Sequence, residues 1–282
     1  MSWIYFILIS ILTSSIAGLL QRILMKNDKS HAAAYASVFQ LLGGLIILIA
    51  ALINGFVLPP ISTYPINFVI MVLLYTGSTF FLFKALQTTE ASIATILGSI
   101  SSIWTIIIAI LFLGESLNLS QFTGIILILL AVLLITASKN KFQINQGVLY
   151  LFAYAACLGL GIANDAFILK HAEIFSYTAL AWLFPALARL IIQPRAVYYM
   201  KPLLKPSYLI KMIILVCFAA TSSVTFYLAY KSGGPISILS PMLSSAMILT
   251  VIFGALFIGE RDRLIRKLIA GVIAVVGILL IR

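Results

Sequence analysis

Asp165 is the side chain of this sequence whose type and position most directly indicate chemistry. It lies beside Asn164 in the stretch LGIANDAFILKH, inside the apolar run 146–169. A carboxylate within such a run is costly unless a partner compensates its charge. It could bind a cationic or amine group, or take up a proton when its surroundings close. Alternatively, a basic side chain could neutralise it and hold the helices together. The candidates for that structural role are Lys84, Lys170 and Arg189.

Three basic residues lie within apolar runs or near their ends. Lys84, in FFLFKALQ, could hold an anionic group of a ligand. Its long side chain could also reach the interface, which is the favoured interpretation because the run ends at Thr88. Arg189 and Lys231 lie close to the ends of their runs, so both are expected to extend to the interface.

Small hydroxyl residues recur at helical spacing in two other runs. Ser92, Thr95, Ser99 and Ser102 form the first series, and Ser237, Ser240 and Ser244 form the second. Such residues let membrane helices approach closely, which is the favoured interpretation. They could also form the polar wall of a binding cavity. The candidates for ligand contact are Ser99, Ser240 and Ser244.

Aromatic residues could stack on a flat ligand or seal a passage. Tyr75 and Trp104 are the candidates for ligand contact, although packing or lipid contact is the more common role for any one of them. The same alternatives hold for Phe81, Trp182 and Phe226.

The stretch GGPISILSP places helix-breaking residues at the start of an apolar run. Gly233, Gly234, Pro235 and Pro241 weaken the first turns, and Pro241 disfavours helical geometry at Ser240. We therefore expect a hinge or a broken segment here, with these glycines and prolines acting in gating.

Membrane-spanning helices are the elements predicted to carry these residues. Of the 282 residues, 63% are hydrophobic and 9% are charged, whereas about 25% are charged in soluble proteins. A spanning helix needs about 20 mostly apolar residues. The basic residues in the gaps meet lipid headgroups, so the net charge of +11 does not indicate nucleic-acid binding. Ten apolar runs have this length: 3–24, 32–54, 66–88, 91–113, 118–138, 146–169, 174–193, 208–230, 235–258 and 264–281.

The phrases AILFLGESL and GALFIGERD indicate an internal repeat. When Glu115 is aligned with Glu260, Ser99 falls on Ser244 at the same offset, which is close to half of the chain. Each half then holds five runs, and because five is odd, the second half enters the membrane from the opposite side. The sequence therefore predicts an all-α integral membrane protein with ten helices in a 5+5 inverted repeat. The two repeats are residues 1–140 and 141–282.

The segments FFLFKALQTTEASIATILGSISSIWTIIIAILFLGESL and FYLAYKSGGPISILSPMLSSAMILTVIFGALFIGERD resemble corresponding helix pairs of the ten-helix EamA-type transporters, a branch of the drug/metabolite transporter superfamily. The resemblance implies a central cavity and alternating access. It also implies that Glu115 and Glu260 are structural acceptors of loop hydrogen bonds. Sugar-phosphate members carry a Lys-Arg pair in the ninth helix, which SPMLSSAMILT lacks, so a phosphorylated substrate is disfavoured.

These features favour a secondary active transporter that exports a small polar or amphipathic metabolite, such as an amino acid, an amine or a nucleoside. A flippase is one alternative, since the Tyr- and Lys-rich segment 193–208 would suit lipid headgroups. A membrane enzyme is the other, although the sequence contains no HExxH motif, no nucleophile elbow and no GxxxxGK[ST] phosphate loop. The expected partners are a small molecule, the lipid bilayer and a coupling proton. We expect no cofactor or metal, a monomer or homodimer, and a location in the plasma membrane.

Two arguments give opposite orientations in the membrane. Thirteen Lys and Arg residues fall on one side, and three fall on the side that carries both termini. The positive-inside rule therefore places the termini outside the cell. The resemblance implies instead that both termini are cytoplasmic.

Overall fold

The computed structural model describes residues 2–25, 31–86, 98–136, 146–257 and 264–281, and regular structure within them is helical. Two 3-10 helices, Pro194–Tyr199 and Lys201–Leu204, connect α7 to α8. The α-helices of the described residues are α1 Trp3–Met25, α2 Ala32–Ile53, α3 Pro65–Leu86, α4 Ser101–Leu113, α5 Leu119–Thr136, α6 Gln146–Leu169, α7 Ile174–Ile192, α8 Pro206–Lys231, α9 Ile236–Ser244, α10 Ala246–Phe257 and α11 Leu264–Ile281.

The helices agree with the predicted apolar runs. Where both ends of a run are described, each helix end lies within two residues of the predicted one. The run ends predicted at 88, 91, 138 and 258 lie outside the described residues. Seven described helical segments are long and apolar enough to cross a bilayer, and three shorter apolar helices accompany them. The prediction of an all-α membrane protein is therefore confirmed, while the count of ten spans stays a prediction.

Contacts between helix ends show that the chain crosses the bundle in alternating directions. Glu115, which follows α4, lines one cavity together with the ends of α6 and α8, and Trp3 of α1 packs against Gly234 just before α9. We call this end of the bundle the Glu115 side. At the opposite end, Tyr199 stacks on His31. We call that end the basic side, because its connector carries Arg195, Lys201 and Lys205.

Two helices on the Glu115 side begin at a carboxylate. Glu173 is the N-cap of α7, and its side chain accepts two backbone N–H groups of the first turn, at 2.7 and 2.9 Å. Burial acts to raise the pKa of Glu173, but these hydrogen bonds and the nearby Lys231 lower that pKa overall. Glu115 accepts the first two N–H groups of α9 at 2.8 and 2.9 Å. Its structural role is thus confirmed, whereas Glu260 lies outside the described residues.

The principal helix pairs follow a two-fold pattern. α3 packs along α6, α1 along α8, α2 along α7, and α5 along α11. In a repeat of five helices, α1 corresponds to α6, α2 to α7, α3 to α8, and α5 to α11. Exchanging corresponding helices converts the α3·α6 pair into the α8·α1 pair. The same exchange leaves the other two pairs unchanged. This is the pattern that a repeat of five helices leads us to expect.

A helix distortion occurs at corresponding positions of the two halves. Ile100 precedes α4 with φ −62° and ψ −22°, and Ser245 separates α9 from α10 with φ −65° and ψ −18°. In both cases the carbonyl accepts the N–H three residues later at 2.9 Å and the N–H four residues later at 3.4 Å. Each helix therefore tightens for one turn at the same place in its half.

The break in the predicted run 235–258 is not where the prolines indicated. α9 continues through Ser240 and Pro241, so the expectation that Ser240 leaves helical geometry is wrong. The Glu115 carboxylate holds the first turn of α9. Pro241 lacks the N–H that would bond to the Ser237 carbonyl, yet the break comes one turn later, at Ser245.

The α5·α11 pair crosses at two glycines. A Cβ atom on Gly277 would lie 2.7 Å from the carbonyl oxygen of Gly124, and a Cβ atom on Gly124 would lie 2.6 Å from the carbonyl oxygen of Gly277. Because both obstacles are backbone atoms, neither glycine can gain a side chain unless the helices separate.

We therefore expect Gly277→Ala to lower the stability of the protein by about 1–3 kcal/mol, the usual cost of overpacking. Thermal unfolding of the detergent-purified protein measures the change. Gly271→Ala on the same helix is the matched control, because its Cβ would meet only Ile252 Cδ1 at 3.5 Å. Equal effects of the two substitutions would show that the glycine crossing does not hold this pair together.

Candidate functional site

Three tyrosine hydroxyls surround one buried carboxylate. Asp165 has no exposed surface. Tyr75 donates a hydrogen bond to its Oδ2 at 2.5 Å and Tyr177 donates to its Oδ1 at 2.5 Å. Tyr227 also donates to Oδ2. We call these four residues the Asp165 cluster.

The Asp165 cluster connects four helices near the Glu115 side. Asp165 lies one turn before the end of α6, Tyr227 lies one turn before the end of α8, and Tyr177 is in the first turn of α7. Tyr75 is near the middle of α3, and its side chain points back toward the start of that helix. A single carboxylate therefore joins α3 to α6, α7 and α8 at this end of the bundle.

Hydroxyl groups, rather than a basic residue, satisfy this carboxylate. Among the proposed basic partners, Lys84 and Lys170 are exposed, and Arg189 bonds elsewhere. An ionised carboxylate only accepts hydrogen bonds, so three donors suit it. Such charge-assisted bonds are roughly twice as strong as neutral ones. The arrangement can hold the charge within the bundle, and it can release the carboxylate to a cation or a proton if the hydroxyls move away.

Asn164 faces a different partner. Its side-chain oxygen accepts a hydrogen bond from Asn67 Nδ2 at 2.9 Å, and its Nδ2 donates to the Asn67 carbonyl at 3.1 Å. This amide pair joins α6 to α3, the same two helices that Tyr75 and Asp165 connect. Asn164 therefore lies beside the cluster and strengthens the same helix contact.

Among the residues that the structure describes, Arg189 is a second charged side chain buried in the bundle. It is 3% exposed. Its Nη1 donates to Gln40 Oε1 at 3.0 Å, and its Nη2 donates to Thr79 Oγ1. The expectation that it extends to the interface is wrong, because helical side chains point toward the N-terminus of their helix. That direction leads away from the end of α7 at Ile192 and into the bundle.

The hydroxyl residues of the two series meet between α4 and α9. Ser102 Oγ lies 2.9 Å from Ser244 Oγ, and Ser240 Oγ donates to Ser102 Oγ at 3.3 Å. Ser99 is buried nearby in the chain, with 4% of its surface exposed. The hydroxyls thus form a direct contact between the two helices, which is the packing role that the sequence favoured.

Two predicted ligand-contact residues lie apart from the Asp165 cluster. Lys84 is exposed. Trp104 is 39% exposed and packs through its Cβ against Gly159. The structure therefore brings Tyr75 to Asp165, places Asn164 next to it, and leaves Lys84 and Trp104 at the outer surface of the bundle.

A cavity of about 490 Å³ opens on the Glu115 side, directly outside the cluster. Its wall includes Leu169 and Tyr230, which lie one turn beyond Asp165 and Tyr227. Gly233 in the same wall has φ of 96°, a conformation that favours glycine. The other lining residues are Glu115, Lys170, Lys231, Gly234 and Pro235. Three of the four predicted gating residues are thus at the mouth, while Pro241 lies within α9.

Four residues of these two polar sites were not identified from the sequence. Tyr177 and Tyr227 complete the Asp165 cluster, and Gln40 and Thr79 bind Arg189. The sequence does contain one indication of such residues. A tyrosine hydroxyl or a glutamine amide inside an apolar run needs a hydrogen-bond partner when it is buried.

Tyr177→Phe tests the contribution of one hydroxyl donor to the cluster. The substitution leaves Asp165 Oδ1 without its tyrosine donor, so we expect the free energy of unfolding to fall by about 1–3 kcal/mol. Thermal unfolding measures the loss. Tyr64→Phe is the control, because it retains the ring that stacks on His171. A loss no larger than that of the control would mean that the Tyr177 hydroxyl does not stabilise the carboxylate.

Comparisons with known proteins agree with this architecture. One solved crystal structure of a protein superposes with a TM-score of 0.77 at 16% identity, covering 98% of this chain and 94% of that chain. At this identity the likeness shows the fold alone. No curated protein matches the sequence.

The sequence of residues 1–137 matches the model of the EamA-like transporter family. Transport is therefore the general function that its family indicates, and the chain is a multi-pass membrane protein. The resemblance to EamA-type transporters of the drug/metabolite transporter superfamily is thus confirmed over residues 1–137.

Proposed function

We propose that this protein is a secondary active transporter that exports a small polar or amphipathic metabolite, such as an amino acid, an amine or a nucleoside, by alternating access. The observation that carries the proposal is the Asp165 cluster, a charged group buried among four helices. Ionisable residues inside membrane proteins commonly belong to substrate or proton pathways. A purely structural role would not require a charge at this position.

The cluster keeps the Glu115 side closed. Tyr75 belongs to the first half of the chain, whereas Asp165, Tyr177 and Tyr227 belong to the second. The hydrogen bonds therefore connect the two halves across the bundle. α3 and α8 cannot move apart at this end until their hydroxyls leave the carboxylate.

A substrate cation or a proton opens the cluster. An amine that approaches Asp165 within the membrane interacts strongly with its charge, because the local dielectric constant is low. A proton that binds the carboxylate removes the same charge. Either event weakens the charge-assisted bonds to the tyrosines and allows the Glu115 side to separate.

An internal repeat would allow a second conformation, in which the two halves exchange their arrangements. Thr105 Oγ1 donates to Ser101 O and Gly159 O, both at 3.1 Å. Thr250, at the corresponding position, donates to Ala246 O at 2.9 Å and to Ser15 O at 3.1 Å. These matched contacts support a repeat of residues 1–140 and 141–282. An exchange of conformation between the repeats would open one side while the other closes.

Asp165→Asn tests the cluster as the substrate site. Purified protein is screened by thermal shift against amino acids, nucleosides, polyamines and quaternary amines. A ligand at one hundred times its dissociation constant should stabilise the wild type by about 2.7 kcal/mol. We expect Asp165→Asn to lose this response. Glu115→Gln, the same carboxylate-to-amide change outside the cluster, should retain it.

Transport of the stabilising ligand is then measured in vesicles, with and without a pH gradient. Counterflow by the wild type and none by Asp165→Asn is the expected result. A mutant that responds and transports like the wild type contradicts the proposed site. Movement of lipid headgroups without metabolite uptake would instead identify a flippase, and chemical turnover of the ligand would identify an enzyme.

A further inference from the structure

Arg189 carries a positive charge into the middle of the bundle. Its guanidinium contacts Thr79 on α3 and Gln40 on α2. Thr79 lies in the second half of α3, more than one turn before its end at Leu86. With 3% of its surface exposed, the side chain has left water while keeping a charge that cannot be titrated away at neutral pH.

The described carboxylates leave this charge uncompensated. The structure describes three acidic side chains, and each is engaged elsewhere. Asp165 accepts bonds from tyrosines, while Glu115 and Glu173 accept backbone N–H groups at helix starts. Both partners of Arg189 are neutral oxygen atoms. A buried charge that has only neutral partners calls for an anion in its environment.

The guanidinium has donors left for such an anion. Arginine has five N–H donors in a planar fork. Gln40 and Thr79 receive one bond each, and the buried Nε has no hydrogen-bond partner within the described part of the chain. The Nε–H and a neighbouring Nη–H can together bind the two oxygens of a carboxylate, or two oxygens of a phosphate.

Hydrogen bonds connect this site to the Asp165 cluster through α3. Thr79 Oγ1, which accepts from Arg189, donates to the Tyr75 carbonyl at 2.5 Å, and the Tyr75 hydroxyl binds Asp165. Thr79 and Tyr75 are four residues apart on α3. A ligand whose anionic group binds Arg189 therefore acts on the helix that also carries Tyr75.

From this geometry we propose that Arg189, held by Gln40 and Thr79, is an anion-binding site that receives the carboxylate of the transported substrate. The inference rests on the proposed transport function and specifies its substrate class. Gln40 and Thr79 are positioning residues, because they orient the guanidinium. A phosphate group offers similar oxygen atoms, so a lipid headgroup is the other source of the same chemistry.

The test compares ligands that differ only in the carboxylate. Leucine, phenylalanine, serine and glutamine are each measured by thermal shift beside their amides and their decarboxylated amines, on the full-length protein. Inorganic phosphate and phosphatidylglycerol in mixed micelles are the phosphate probes. We expect at least one acid to stabilise the wild type at a concentration lower by about tenfold or more than its amide, because the amide leaves the site's charge uncompensated.

Arg189→Gln should abolish this discrimination while retaining the response to amines. Arg189→Lys keeps the charge but loses the planar fork, so it should reduce the discrimination. If Arg189→Gln fails to fold, the effect of Arg189→Lys on the discrimination tests the proposal instead. Thr79→Val should weaken the discrimination without removing the charge.

Each outcome decides between the possibilities. A preference for phosphate or phosphatidylglycerol that Arg189→Gln loses supports the anion site but assigns it to a lipid, and this overturns the substrate carboxylate. No preference for any anionic probe, or a preference that survives in Arg189→Gln, overturns the site.

Counterflow in vesicles measures the transport function separately. Transport of amines without acid discrimination rejects only the anion site, whereas Arg189-dependent anion binding without transport rejects only the transporter.

Discussion

A charged group that leaves water must find hydrogen-bond donors or an opposite charge, and this constraint organises the centre of the protein. Asp165 meets it with tyrosine hydroxyls, and Arg189 meets it in part with an amide and a threonine. Both sets of partners include α3, which carries Tyr75 and Thr79 one turn apart. Any motion of α3 therefore changes the surroundings of both charges at once, so a ligand that binds either charge acts on the same helix.

The Glu115 side combines fixed helix starts with the movable cluster. Glu115 and Glu173 hold the first turns of α9 and α7 through backbone N–H groups. These bonds do not depend on the tyrosines. If the hydroxyls leave Asp165, the ends of α3 and α8 can separate while α7 and α9 keep their starting points. The corresponding distortions at Ile100 and Ser245 give each half a place to bend during such a change.

The helices were predictable because apolar length alone determines where a chain can cross a bilayer, as the agreement of run 146–169 with α6 illustrates. Asp165 was predictable as a site, since a carboxylate in such a run is rare. Its tyrosine partners were not, because Tyr177 and Tyr227 come from helices whose rotation the sequence does not specify. Arg189 was misjudged because its distance from the helix end was considered without the direction of its side chain. At Pro241, the local rule gave the wrong position of the break: α9 continues through Pro241 and ends at Ser244.

The most direct test of these ideas is the distance between α3 and α8 on the Glu115 side. Spin labels at Ile66 and Lys231, both exposed, can be measured by pulsed electron resonance after Cys157 and Cys217 are replaced by alanine. In the ligand-free protein we expect one short distance, and in Asp165→Asn we expect a second, longer population, because the charge that holds the tyrosines is gone. An unchanged distance distribution would contradict the claim that the buried carboxylate holds the two halves together.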